Sequence, residues 1–288
     1  MFLSSIFSDN AYNKELLTLK NFKGLYNLVV NTQSVLDLHT SDLVGYKMEC
    51  NYDVQQEVSN REILNTITIR DTTISTENEL LKDSLNDITA LNKIHVCFKI
   101  TRNLKGEIMT VRNLNSLIKE WEQAKKTVIP TLFSTANERI GFIYAYEKGL
   151  PIMHKTLNNN WQYLLMLPEC YHFNHYIYDG RLSKTKENCY KSKFIPQLAI
   201  KYHMKGVSFK EKDNSIHLRL KGHIENQTAI TVFEQSNPNQ PHKYTFEIVA
   251  LYELDKHCGK VINAQVEILE TLNGIKIMNT HIMLKLEE

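Results

Sequence analysis

Apolar and polar residues alternate over several long stretches of the chain, and a period of two predicts β-strands with one face turned to water. Between Val44 and Val54 the apolar positions are Tyr46, Met48, Cys50, Tyr52 and Val54, and the pattern resumes at Ile63, Ile67 and Ile69. Ile94, Val96, Phe98 and Ile100 alternate cleanly. A polar TRNLKGE follows them, and Ile108 to Val111 return as the second arm of a hairpin. The last ninety residues are almost purely β in character. Ile216, Leu218 and Leu220 alternate after the turn KEKDNS, and three strands then follow: KYTFEIVALYEL, KVINAQVEILETL and IKIMNTHIMLKL. In the last of these, Ile275 and Ile277 share a face with His281 and Lys285, whereas Ile282, Leu284 and Leu286 occupy the other. A change of apolar face within one strand predicts a β-bulge.

Helical spacing is confined to the middle of the chain. NELLKDSLNDITAL places Leu81, Leu85 and Ile88 on one face. In LNSLIKEWEQAKK, Leu114, Leu117, Ile118 and Trp121 stand at i, i+3, i+4 and i+7, with Asn113 as N-cap and Glu122–Lys126 as an i,i+4 pair. Pro130 suits the first turn of a further helix, in which Leu132, Ala136, Ile140, Ile143 and Tyr144 line one face and Gly149 supplies the stop. The first forty residues are ambiguous, because GLYNLVV reads equally as a short buried strand or as part of a loose helix.

These patterns predict an α+β fold, with long antiparallel β-strands mostly in the C-terminal third and a helical segment around 114–148 packed on the sheet. The organisation expected is a mixed β/α region over 1–150, an aromatic and basic connecting segment over 151–200, and an antiparallel β region over 201–288, all compatible with one domain. Curved sheets with a helix in the hollow occur in carrier and binding proteins, which makes an apolar-ligand carrier a fold analogy and no more.

Composition narrows the function classes. The 288 residues include 42% hydrophobic and 23% charged side chains, as in a folded protein rather than a disordered one. Only 10 glycines are present, and neither G-x-G-x-x-G nor G-x-x-x-x-G-K-[ST] occurs, so the common phosphate cradles are missing. A formal charge of +2 argues against wholesale wrapping of nucleic acid. The N-terminal stretch lacks a basic n-region and a cleavage site, and no apolar run reaches the length of a membrane span. Five scattered cysteines without C-x-x-C fit reduced thiols, so the expected location is cytoplasmic.

The strongest local departure is aromatic. Seven of the thirty residues from 161 to 190 carry rings, against 9% for the whole chain, and they cluster in PECYHFNHYIYDG. Rings enrich in ligand pockets and interfaces, but alternating rings in a strand also fill ordinary cores. GRLSKTKENCYKSK, which follows, is basic. The candidate ligand- or partner-binding residues are therefore Trp161, Tyr171, His172, His175, Tyr176, Tyr178, Asp179, Arg181, Lys184 and Lys186. The reading preferred on sequence is a non-catalytic binding or assembly protein that uses this surface, with a protein partner or self-association and no cofactor. Three alternatives stay open. Cations beside rings suit single-stranded nucleic-acid or anion binding. Cys170, His172, His175, Asp179 and Cys189 offer donors for a metal- or thiol-dependent enzyme, though the spacing C-x-H-x2-H-x13-C matches no structural zinc motif. The third is the apolar-ligand carrier. His95, His217 and His281 fall in strand patterns and are expected at surfaces or edges.

Overall fold

A computed structural model of the chain describes residues 17–35, 43–169, 187–192, 195, 198–224, 227–235 and 243–287. Among these residues the alternating stretches form eleven strands: β1 (Phe22–Val35), β2 (Leu43–Val58), β3 (Ile63–Ser75), β4 (Cys97–Arg102), β5 (Ile108–Val111), β6 (Asn188–Lys191), β7 (Ala199–Lys212), β8 (Ser215–His223), β9 (Tyr244–Asp255), β10 (Val261–Leu272) and β11 (Ile275–Glu287). They make one sheet in the order β5-β4-β3-β2-β1-β11-β10-β9-β8-β7-β6, with every neighbouring pair antiparallel. The fold is thus α+β with an open antiparallel sheet, as the periodicity predicts. Its strands are spread along the whole chain, however, and β1 to β3 are as long as β9 to β11.

The path explains where the helices must lie. From β1 the chain steps outward to the edge strand β5, and from the opposite edge strand β6 it steps back inward to β11. There β11 closes on β1, with Val30 opposite Ile282 and Leu28 opposite Leu284. The segment between the two edges therefore has to bridge the sheet. It does so as α2 (Leu114–Thr127), α3 (Ile129–Leu132), α4 (Ala136–Gly149), a 3₁₀ turn at Leu150–Ile152, α5 (Met153–Leu157) and α6 (Trp161–Met166). The remaining helices are α1 (Glu79–Asn92) and α7 (Thr228–Gln235).

One face of the sheet is buried under these helices. Leu28, Tyr52, Ile67, Ile100, Ile248 and Val266, on β1, β2, β3, β4, β9 and β10, are all core residues. In β11 the apolar face changes where predicted. Pairing slips between Glu270 and Thr271, so that Lys276 and Met278 find partners and Ile277 between them does not, and Ile277 and Met278 are both buried. GLYNLVV belongs to a strand, since β1 pairs on both sides.

The helical region departs from expectation in three places. The helix foreseen across 130–148 is interrupted, because Thr135 starts α4 with a capping box to Glu138. That start sets the phase of α4, so Phe142, Ile143 and Tyr146 pack inward while Ile140 and Tyr144 stand 64% and 68% exposed. In α2 the inward face is Leu117, Trp121 and Ala124, with Ile118 turned out. Asn113 makes no cap with its side chain. It accepts from the Lys99 N–H at 2.9 Å and donates to the Cys97 carbonyl at 2.9 Å, which ties the start of α2 to β4. Finally, Lys125 rather than Lys126 pairs with Glu122, at 2.7 Å, and also reaches Glu147 at 2.6 Å.

Apart from Gln162, helix α6 is aromatic or aliphatic at every position, and such a helix belongs in an interior. Trp161, Tyr163, Leu164, Leu165 and Met166 are all buried. Its polar atoms are met by the sheet: the Trp161 indole N–H donates to the Tyr202 hydroxyl at 3.0 Å, and the Tyr252 hydroxyl donates to the Leu164 carbonyl at 3.1 Å.

Candidate functional site: an apolar hollow under the helices

Helices resting on the sheet do not fill all the space beneath them. Between β2, β3 and β4 on one side and α1, α4, α5 and α6 on the other lies a hollow of about 500 Å³. That size falls within the range of roughly 300–1,000 Å³ usual for small-molecule sites. The sheet contributes Cys50, Tyr52 and Phe98, and the helices contribute Phe142, Tyr146, Met153, Leu157 and Tyr163. Asn92, Ala145 and Thr156 also line it and are exposed, so they mark its mouth. Among the described residues that line it there is no Lys, Arg, Asp or Glu.

The tyrosine hydroxyls of the lining keep their protons. Burial pushes the Tyr52 and Tyr163 hydroxyls well above their usual range, and burial and then the Glu120 carboxylate push Tyr146 up to about 12. Burial also raises the Cys50 thiol, outweighing the opposite effect of its hydrogen bond with Thr72 at 3.3 Å, and so disfavours the thiolate. Behind the wall, Trp121 stacks on Tyr146 with ring centroids 4.0 Å apart, and its indole N–H donates to Glu147 at 3.2 Å.

A second hollow of about 550 Å³ adjoins the first, and Thr156, Asn160 and Gln162 line both. Its walls include Val30, Tyr46, Trp161, Tyr190, Ile268 and Ile282, with Lys155 and Lys191 exposed at the rim. Tyr190 is held in place by Glu270, a fully buried carboxylate that accepts from the Tyr190 hydroxyl at 2.6 Å, from the Tyr244 hydroxyl at 2.8 Å and from the Ser192 hydroxyl. Burial first and the Glu270 charge second push both tyrosine hydroxyls far up, so they remain donors. A larger groove of about 990 Å³ lies at outward positions of β7 to β11, but it is rimmed by Lys210, Lys212, Arg219 and Lys285. The two inner hollows lie instead between the sheet and the helices, with mostly apolar walls.

Of the residues singled out by sequence, Trp161 is interior and forms part of the second hollow's wall. Tyr171, His172, His175, Tyr176, Tyr178, Asp179, Arg181, Lys184 and Lys186 lie outside the described residues, as does Cys170. Cys189 is a free thiol and lines the second hollow. Among the described residues no three His, Cys, Asp or Glu side chains converge as a metal site, and no helix is long and apolar enough to cross a membrane. His95, expected at a surface or edge, is buried instead, because α1 ends at Asn92 and Ile94 and His95 turn under α2 before β4 begins.

The chain is similar in fold to lipovitellin. A solved structure of lipid–protein interactions in lipovitellin matches 94% of this chain at 8% identity and a TM-score of 0.46. This chain spans only 25% of the lipovitellin chain. DynF from the dynemicin biosynthesis pathway of Micromonospora chersina matches 94% of this chain and 82% of its own, at 5% identity and a TM-score of 0.23. Both scores are too low for the likeness to bear on function. No protein-family model matches the chain, and no curated protein matches it.

Proposed function

We propose that the protein binds an apolar small molecule, of lipid type, in the joined hollows beneath α4, α5 and α6. The observation that carries this reading is the first hollow, with its aromatic and aliphatic lining, no charged side chain among its described walls, and its mouth at Asn92, Ala145 and Thr156. Apolar walls gain little from water and much from hydrocarbon: each buried methylene contributes about 0.8 kcal/mol. Affinity for straight-chain ligands is therefore expected to rise about fourfold per methylene until the hollow is full. Trp161 takes part as a wall of the site. No step of bond-making is assigned to these residues.

The test is a titration with diphenylhexatriene, a neutral probe that brightens in dry surroundings. Saturable binding of one probe per chain is expected. Ala145→Trp puts a ring into the mouth from an exposed position on α4, so it is expected to weaken binding at least tenfold and leave the thermal midpoint unchanged. Equal binding by the variant and the unmodified chain would place the ligand elsewhere and end the proposal.

A further inference from the structure

The mouth of the first hollow opens beside a stripe of exposed side chains. Ala145 on α4 and Thr156 on α5 both line the hollow and face solvent. Gly149, Leu150 and Met153 keep right-handed helical dihedrals, so the 3₁₀ turn carries the helical path of α4 on into α5. Along that path Ile140, Tyr144, Lys148 and Ile152 recur every four residues, and all four are exposed. Residues four apart on a helix are neighbours on its surface. Tyr144 directly precedes Ala145, and the exposed Lys155 directly precedes Thr156, so the stripe forms one lip of the mouth. Single exposed apolar side chains are ordinary, but Ile140, Tyr144 and Ile152 stand in line. They also stand apart from the packed face of α4, which is made by Phe142, Ile143 and Tyr146.

The charges around the stripe say what covers it. Lys148 lies on it, Lys155 continues it, and Lys191 joins Lys155 at the rim of the second hollow; all three are exposed. Among the described residues none of the three makes an ion pair. The two carboxylates of α4 are engaged, Glu138 in the capping box and Glu147 with Lys125 and the Trp121 indole. Free cations beside aligned apolar groups match an anionic lipid surface, where apolar side chains enter the headgroup boundary and lysines meet lipid charges. Tyrosine suits that boundary, with its ring among the lipids and its hydroxyl in water. A ligand that fits an apolar hollow resides in membranes rather than in water. We propose that the lip formed by Ile140, Tyr144, Lys148, Ile152 and Lys155 docks on a bilayer that carries anionic lipid, which brings the mouth of the hollow to the source of its ligand. This assignment rests on the reading of the hollow as an apolar-ligand site and adds where that ligand enters and leaves.

Flotation of the full chain with phosphatidylcholine vesicles, either pure or mixed equally with phosphatidylserine, tests the docking. Titration with diphenylhexatriene in the absence of vesicles tests the hollow separately. The chain is expected to bind the mixed vesicles about tenfold or more tightly than the pure ones, since each lysine near an anionic surface contributes about a fivefold gain. Lys148→Gln with Lys155→Gln is expected to remove most of that preference. Ile140→Ser with Tyr144→Ser is expected to weaken binding to the mixed vesicles about tenfold. All four side chains are exposed, so the thermal midpoint and diphenylhexatriene binding are expected to stay as they are. Should either pair disturb the fold, Tyr144→Ser alone carries the comparison. Diphenylhexatriene binding without association with the mixed vesicles would overturn the docking and leave the apolar-ligand reading standing. Equal binding to the two kinds of vesicle, or vesicle binding that survives both pairs of substitutions, would also overturn it. So would a dimer in sedimentation that Ile140→Ser with Tyr144→Ser dissociates, since the stripe would then be covered by a second copy. Without diphenylhexatriene binding, the docking assignment falls together with the apolar-ligand reading.

Discussion

Replacing Arg102 by alanine is expected to lower the free energy of unfolding by about 3–5 kcal/mol. Arg102 is fully buried at the end of β4. Its Nε donates to Asn65 Oδ1 at 2.8 Å, its Nη2 to Gln56 Oε1 at 2.9 Å and its Nη1 to the Pro168 carbonyl at 3.4 Å. Gln56 in turn donates to the Lys20 carbonyl at 3.1 Å. The guanidinium fork therefore clamps the chain just after α6 to β2, β3 and β4. Alanine removes the fork, leaves these acceptors without it and opens a cavity the length of the side chain. Lysine, a single point donor, cannot span the same oxygens and is expected to recover less than half of the loss. Urea denaturation checks this through the midpoint at constant slope. A shift worth under about 1 kcal/mol would mean that water replaces the guanidinium.

Glu270→Ala is expected to cost about 2–4 kcal/mol, and its effect should be local as well as global. The carboxylate gathers the hydroxyls of Tyr190, Ser192 and Tyr244, and two of these belong to β6 and the turn after it. Among the described residues strand β6 has four residues and pairs with β7 alone, so Glu270 is a main tie between that strand and the middle of the sheet. Loss of the tie should expose the chain near Asn188–Ser192 to proteolysis and open the second hollow, since Tyr190 and Lys191 wall it. Glu270→Leu combined with Tyr190→Phe and Tyr244→Phe removes acceptor and donors together and is expected to regain most of the stability. If the single alanine variant is as resistant to protease as the unmodified chain, β6 is held by other contacts.

Much of the sheet was legible because a period of two survives any tertiary context that buries one face. The pairing of β1 with β11 was not, since nothing local says that the first and last strands meet. The bulge in β11 was readable from the change of apolar face at Ile277. The helices were read less well. Phe142, Ile143 and Tyr144 put apolar groups on both sides of α4, so spacing alone could not choose a face, and the capping box at Thr135 did.

The site was legible only in its aromatic wall at Trp161. The hollow itself arises where β2 to β4 and α4 to α6, distant in sequence, fail to fill the space between them. Signals for its polar frame were nonetheless present. Arg102 continues the inward parity of Phe98 and Ile100, and Glu270 stands between Ile268 and Leu272 on an apolar face. A charge at an inward position predicts a buried network, and both residues have one. His95 gave no such sign, because it falls outside the strand whose alternation it appeared to share.

The two tryptophans offer the most direct test of an apolar ligand in these hollows. Trp161 lines the second, and Trp121 lies one ring behind the first through its stack on Tyr146. Titration with a long-chain alkane brominated along its length, a quencher that acts only at close range, is predicted to quench both emissions saturably at one ligand per chain. Trp161→Phe and Trp121→Phe resolve the two contributions. Saturable binding that leaves both tryptophans unquenched, or no binding at all, would contradict the account.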